Sequence, residues 1–180
     1  ACRARGELLT RAHTEGIDVL DVDGGLGANP DSSYFPPDLL AYVFGVPRVN
    51  WIELYSQAEV VSSCSNLNSN SAGLYWVTGG CAIAANTQVG SPEAPVAIVV
   101  DEGDLRINGG ATVFGVVFSF DNPDKSGTGG DVQINGGPIV YGSIIIDHSV
   151  DLSNGDFMVR YDDNVLSTLN LDVNKSLARV

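Results

Sequence analysis

The sequence predicts a mainly β protein: a short right-handed parallel β-helix, or β-solenoid, with a small α/β segment at its N-terminus. Three observations lead there. Residues 103–120 (GDLRINGGATVFGVVFSF) and 130–147 (GDVQINGGPIVYGSIIID) align without gaps at an offset of 27, with eight of eighteen positions identical. Both copies are strand-like apolar runs broken by Asn-Gly-Gly, the pattern of stacked coils that bury their apolar faces against one another. Composition agrees, because 21 glycines and 17% charged residues suit turns and strands, while 44% hydrophobic residues suffice for a core.

Weaker copies set the coil length. Residues 150–155 (VDLSNG) match 132–137 (VQINGG) at an offset of 18. The nine residues by which 27 exceeds 18 equal the length of 121–129, which has loop composition, so the basic coil is read as 18 residues with that loop inserted at a corner. Upstream, residues 75–80 (YWVTGG) match 105–110 (LRINGG) at an offset of 30, with a second insertion at 90–95. Three or four coils are near the minimum for a stable array. Asn108, Gly109 and Gly110, with Asn135, Gly136 and Gly137, are the expected turn residues. Asn tolerates the left-handed backbone of such corners, and stacked amides can form a ladder.

The chain divides into an α/β segment, 1–60, and a β-helix domain with a C-terminal cap, 61–180. Leu8, Leu9 and Ala12 share a side of a helix from Ala4 to about His13, ended by Gly16. Residues 21–37 read as an irregular loop. Asp38 caps a short helix through Phe44, which Gly45 and Pro47 end. Residues 49–55 and 59–61 read as strands, and from Leu74 onward the pattern is β. Residues 163–169 form one or two helical turns against the end of the stack, covering strand edges that otherwise invite association.

Alternation assigns faces. Val113, Gly115 and Val117 point inward, as do Val140, Gly142 and Ile144. Phe114, Val116 and Phe118 point outward with Tyr141, Ser143 and Ile145, so that Phe114 lies over Tyr141 and Phe118 over Ile145. This outer ridge is more apolar than a monomer ordinarily shows. It is either a partner surface (Phe114, Phe118, Tyr141, Ile145) or, the favoured reading, covered by the N-terminal segment.

A net charge of −13, with no Lys or Arg between residues 61 and 100, argues against a nucleic-acid partner. No apolar run approaches the ~18 residues of a membrane span. The chain begins Ala1-Cys2-Arg3 with no signal-peptide pattern, which reads as a processed or soluble part of a longer protein. Cys64 and Cys81 bracket a polar stretch, and a disulfide between them would contribute roughly 3 kcal/mol and imply an oxidising compartment. The alternative is two buried thiols, and Cys2 is left over. Asp101, Glu102, Asp104, Asp131, Asp147, Asp151 and Asp156 gather near the corners, where paired carboxylates could attack a glycosidic bond. No aromatic or basic residue repeats at coil spacing to hold a sugar beside them. Asp21 and Asp23 open like a calcium loop, but Gly25 and Leu26 depart from it, and a plain Asp/Gly turn competes. Ca²⁺ is thus the one candidate cofactor. His13 and His148 lie far apart in sequence and carry no triad motif, and the Gly-rich residues 24–27 lack the Lys-Ser/Thr of a phosphate loop.

Residues from about Cys64 to Leu169 resemble the C-terminal region of PilX-type pilus assembly proteins of Gram-negative bacteria. The residues that carry the likeness are 73–81 (GLYWVTGGC), 89–96 (VGSPEAPV), 99–104 (VVDEGD), the two Ile-Asn-Gly-Gly units, 140–142 (VYG), 157–162 (FMVRYD) and Val165-Leu166. Together they cover a little over half the chain. The resemblance implies a minor-pilin-like, non-catalytic module outside the cytoplasm, in the periplasm or on the pilus, whose partners are pilus subunits or a tip adhesin. It also implies an N-terminal membrane helix that this sequence does not contain. The alternatives are a β-helix polysaccharide hydrolase or lyase, and a cytoplasmic filament protein of the bactofilin kind.

Overall fold

A computed structural model describes residues 12–15, 36–125, 127–148 and 157–169. The first element is a strand, β1 (Ala12–Glu15), paired in parallel with Phe157–Arg160. The helix expected from Ala4 therefore does not reach Ala12 and His13, and its earlier residues lie outside those described. A free parallel edge decides this stretch, because ladder hydrogen bonds outweigh the small propensity differences among its residues. Helix α1 (Leu39–Phe44) forms as expected: the Asp38 carboxylate accepts from the Ala41 amide at 2.9 Å, and Gly45 ends the helix in the left-handed region. A 3₁₀ turn (Arg48–Asn50) then leads into α2 (Trp51–Tyr55), where the sequence reading placed a strand. Trp51, Leu54 and Tyr55 stand at helical i, i+3, i+4 spacing; Leu54 is fully buried, and the Trp51 and Tyr55 rings meet edge-on at 5.9 Å.

The solenoid follows, a parallel stack of about three turns, as the repeat predicts. Its strands are β2 (Glu59–Val61), β3 (Gly73–Val77), β4 (Cys81–Ile83), β5 (Gln88–Val89), β6 (Val96–Asp101), β7 (Leu105–Ile107), β8 (Thr112–Phe120), β9 (Val132–Ile134), β10 (Ile139–Ile146) and β11 (Phe157–Arg160). The long sheet runs β1-β11-β10-β8-β6-β3-β2, and the short one β4-β7-β9. Leu105 lies on Val132, and Thr112 to Ser119 lie on Ile139 to Ile146, so the offset of 27 is the true register. Both β5 and β6 pair with β8, which places residues 90–95 as the expected insertion within one coil. The match of 75–80 to 105–110 is wrong. Cys81–Ile83 lies on Leu105–Ile107, while Tyr75 pairs with Ile98. Gly79 and Gly80 precede their short strand, whereas Gly109 and Gly110 follow theirs, and the shared dipeptide drew the alignment off by half a coil. The copy at 150–155 lies outside the described residues.

Inside the stack Val77, Ile83, Val89, Ile98, Val100, Leu105, Ile107, Val113, Val117, Val132, Ile134 and Val140 form one buried cluster. Each such side chain contributes about 1.5–3 kcal/mol when fully removed from water. Outside the long sheet lies a second cluster, in which Leu40, Phe44 and Leu54 of the helices pack on Trp76, Ala97, Val99, Phe118 and Phe120. The N-terminal segment thus shares a core with the solenoid. A last helix, α3 (Asp163–Leu169), was expected over the end of the stack. It packs instead against β8 and β10, with Leu169 joining the outer cluster.

The corners depend on backbone proximity. A Cβ on Gly103 would overlap the Gly79 carbonyl oxygen, and one on Gly130 that of Gly103. The left-handed corner column is Asn86, Gly110 and Gly137. Asn108 and Asn135 are not among the left-handed residues, contrary to expectation. The Asn108 amide nitrogen donates instead to the Ile83 carbonyl at 2.8 Å, tying its coil to the previous one. The disulfide Cys64–Cys81 is formed. It holds the loop after β2 over β4, the edge strand of the short sheet, with Leu67 of that loop buried in the interior cluster.

Gly103→Ala should cost about 3 kcal/mol in urea unfolding, because the added methyl meets backbone of the neighbouring coil. Gly137→Ala, whose Cβ would meet nothing within 4 Å, should cost only about 1 kcal/mol, the left-handed penalty. Equal losses would refute the glycine column.

Candidate functional site

Among the described residues, the helical layer covers part of the width of the long sheet's outer face. Phe118 is fully buried and meets Phe44 at 5.8 Å, so of the two readings of the ridge the favoured one, cover by the N-terminal segment, holds there, and Phe118 is not a partner surface. Ile145 is half-buried against the same outer cluster. Towards the start of β8 and β10 the face carries Phe114 and Tyr141 instead. These are register partners whose rings lie parallel, 7° apart in plane, with centroids 4.9 Å apart. Arg160 is the next register partner beyond Tyr141, its guanidinium carbon 5.9 Å from the Tyr141 ring centroid and its Nε donating to Met158 Sδ at 3.0 Å. Phe114, Tyr141 and Arg160 are each half-buried. The result is a strip of two π faces and a cation, held by three neighbouring strands. Such stacked and cation–π pairs each contribute on the order of 1 kcal/mol. The sequence reading missed Arg160. Its signal was the match of Ile139-Val-Tyr141 to Met158-Val-Arg160 at an offset of 19, which pairs Tyr141 with Arg160.

The corner carboxylates come together as clasps. At the ends of β6, β8 and β10 stand Asp101, Asp121 and Asp147. Trp76 Nε1 donates to Asp101 Oδ2 at 2.9 Å, Lys125 Nζ pairs with the same oxygen at 2.9 Å, and Asn122 Nδ2 donates to Oδ1 at 3.1 Å. Glu102 accepts from the Asn122 amide at 2.7 Å. Asp104 accepts from the Asp131 amide at 3.2 Å and pairs with Arg106 at 3.4 Å. Asp38, besides capping α1, holds the Arg48 amide at 2.8 Å. That placement brings the Arg48 guanidinium to the Asp121 carbonyl and carboxylate, the latter at 2.8 Å, and to Asp147 at 3.6 Å. The helical layer is thereby clasped to the corner. His148, which the sequence reading left in a surface or capping position, meets the buried Ser119 hydroxyl through Nε2 at 2.9 Å.

Asp147 is the unusual member. Its carboxylate is 6% exposed and accepts from the Asp121 amide at 2.8 Å. Burial raises its pKa from 3.8 to about 6; the Asp121 amide, Arg48 and His148 pull the other way, and the Asp121 charge adds to the rise. Among the described residues no group of three His, Cys, Asp or Glu is placed to hold a metal ion. The calcium candidates Asp21 and Asp23 lie outside those residues, as do Asp151, Asp156 and Cys2. No described helix is long and apolar enough to cross a membrane. No protein-family model, curated protein or solved structure matches this chain.

Because its folded pKa is raised, Asp147 binds a proton in the folded chain between about pH 4 and 6 that the unfolded chain does not hold. Its contribution to stability therefore falls as the pH rises through that window. Asp147→Asn should be more stable relative to wild type at pH 7 than at pH 5, by about 1 kcal/mol in denaturant midpoints converted to free energy. A difference independent of pH would show that Asp147 titrates normally.

Proposed function

We propose that this chain is a non-catalytic interaction module of an extracytoplasmic, pilus-associated protein of the minor-pilin-like kind. Its β-solenoid presents a face for pilus assembly or adhesion. The observation that carries this reading is the strip Phe114–Tyr141–Arg160, half-buried on the same sheet whose β3, β6 and β8 residues Trp76, Val99 and Phe118 lie under the helical layer. A surface of fixed aromatic rings with an arginine suits protein docking, since interface hot spots favour these residue types. Pilus subunits or a tip adhesin are the proposed partners, on the family resemblance of residues 64–169.

Two further observations support it. The Cys64–Cys81 bond points to an oxidising compartment, where such bonds persist. Four of the carboxylates that a polysaccharide-cleaving enzyme would draw on, Asp101, Glu102, Asp104 and Asp147, are engaged with Trp76, Lys125, Asn122, Arg106 or Arg48 or with backbone amides. A filament of stacked chains needs open coil ends, whereas here the disulfide-bonded loop lies over the short sheet's edge.

The test is genetic and chemical together. In the encoding bacterium, Phe114→Ser with Tyr141→Ser should reduce surface pili as strongly as deletion of the gene, with protein abundance unchanged on immunoblots. Full piliation in both strains would remove the pilus reading. Intact mass of the exported protein should show Cys64 and Cys81 crosslinked; free thiols there would remove the extracytoplasmic assignment.

A further inference from the structure

At the first coil, beside the disulfide-bonded loop, lies a cleft of about 350 Å³. Small-ligand pockets begin at about 300 Å³, so it suits one or two sugar-sized rings. Its floor is Leu67, Ser71 and Tyr75, all at least nine-tenths buried, and its rim includes Glu59, Ser62 and Asn66, which are exposed. Glu59 is the register partner of Tyr75, so carboxylate and phenol sit on adjacent strands.

Tyr75 is the informative residue. It is 7% exposed, and no hydrogen bond joins its Oη to a described residue. Yet among the described side chains no fully buried polar atom lacks a partner. The Tyr75 hydroxyl therefore reaches solvent, and Tyr75 lines the cleft. A largely buried phenol whose hydroxyl bonds no described residue is readily satisfied by a ligand hydroxyl. Ser71 Oγ already accepts from the Asn68 amide at 3.0 Å, which leaves its proton to donate.

The lining also fixes the ligand's charge. Its described lining residues include one carboxylate and no cation, and no Lys or Arg occurs between residues 61 and 100. An anion would meet only repulsion there. Hydroxyls, an amide and a carboxylate beside the apolar Val61 and Leu67 match a neutral ring with hydroxyls on its rim and C–H groups on its face. We propose that this cleft binds a neutral saccharide of one or two pyranose rings, with Glu59 accepting its hydroxyl protons and Tyr75 Oη completing the contact. The site is separate from the Phe114–Tyr141–Arg160 strip and stands without it.

The experiment is a titration of the ¹⁵N-labelled full chain with glucose, galactose, N-acetylglucosamine and maltose, and in parallel with putrescine. At least one saccharide should give saturable, millimolar shifts confined to amides of residues 59–75. Tyr75→Phe should weaken that binding at least fivefold with an unchanged melting temperature, since its hydroxyl bonds no described residue. Glu59→Gln, at an exposed position, should weaken it similarly. No saturable shift with any of the four sugars, saturation by putrescine alone, or unchanged affinity of Tyr75→Phe would each overturn the proposal.

Discussion

Everything in this molecule depends on parallel strands stacking in register with their corners almost in backbone contact. Parallel strands lie about 4.8 Å apart, and each residue sits on its counterpart in the next coil. A side chain that fits one coil is therefore tested again by its neighbours. Gly79, Gly103 and Gly130 meet that test at one corner, where a methyl on either of the last two would overlap a carbonyl. The Asn108 side chain adds a bond to the Ile83 carbonyl across the same gap between coils. With the corners fixed, Val113 and Val117 fall on Val140 and Ile144 inside, and Phe114 falls on Tyr141 outside.

That register creates a second obligation. A long sheet whose outer face carries Phe118, Phe120, Val99 and Trp76 cannot leave them in water, and the helices from residues 39 to 55 meet them. Trp76 joins the layers: it stacks on Trp51 at 5.5 Å, meets Tyr55 and Phe120 edge-on at 5.6 Å, and donates to Asp101. Asp101 in turn holds Lys125 and Asn122 of the inserted corner loop. The polar corner and the aromatic layer are thus one structure. Arg48 repeats the arrangement one strand over, with its charge on Asp121 and Asp147 and its guanidinium carbon 5.8 Å from the Phe120 ring centroid. Burial of Asp147 beneath this layer raises its pKa against the pull of Arg48.

The two strongest coils were legible because their identical residues perform identical geometric tasks. Gly, Asn and alternating Val recur at one offset only when the backbone recurs with them. The first coil was not, since the insertion at 90–95 splits its long strand and Gly79-Gly80 sit on the other side of their short strand from Gly109-Gly110. Five residues such as Trp51–Tyr55 carry too few positions to separate a period of 2 from one of 3.6. The outer ridge was read as apolar, but which part of it stays uncovered is set by where α1 and α2 land. No repeat encodes that. Arg160 went unseen because its strand resembles β10 only in the Val140/Val159 pair and its neighbours.

The part of the ridge that the described helices do not cover is itself ordered. Phe114 and Tyr141 are fixed in parallel by main-chain register, and Arg160 is set against Tyr141 by the same sheet. Side chains on a loop would lose rotamer freedom on docking, at about 0.5–1.5 kcal/mol each. Half-buried rings already ordered against one another lose little of it. A solenoid also holds such a strip at constant spacing, since its positions follow the strand separation and not the conformation of a loop. The nearby helical cover serves the same end, because it removes the most apolar residues from contact with solvent and leaves a narrow strip whose cation discourages indiscriminate hydrophobic association. Rigidity from the interior, selection by the cover and chemistry from three adjacent strands are together what the proposed assembly role would require of this strip.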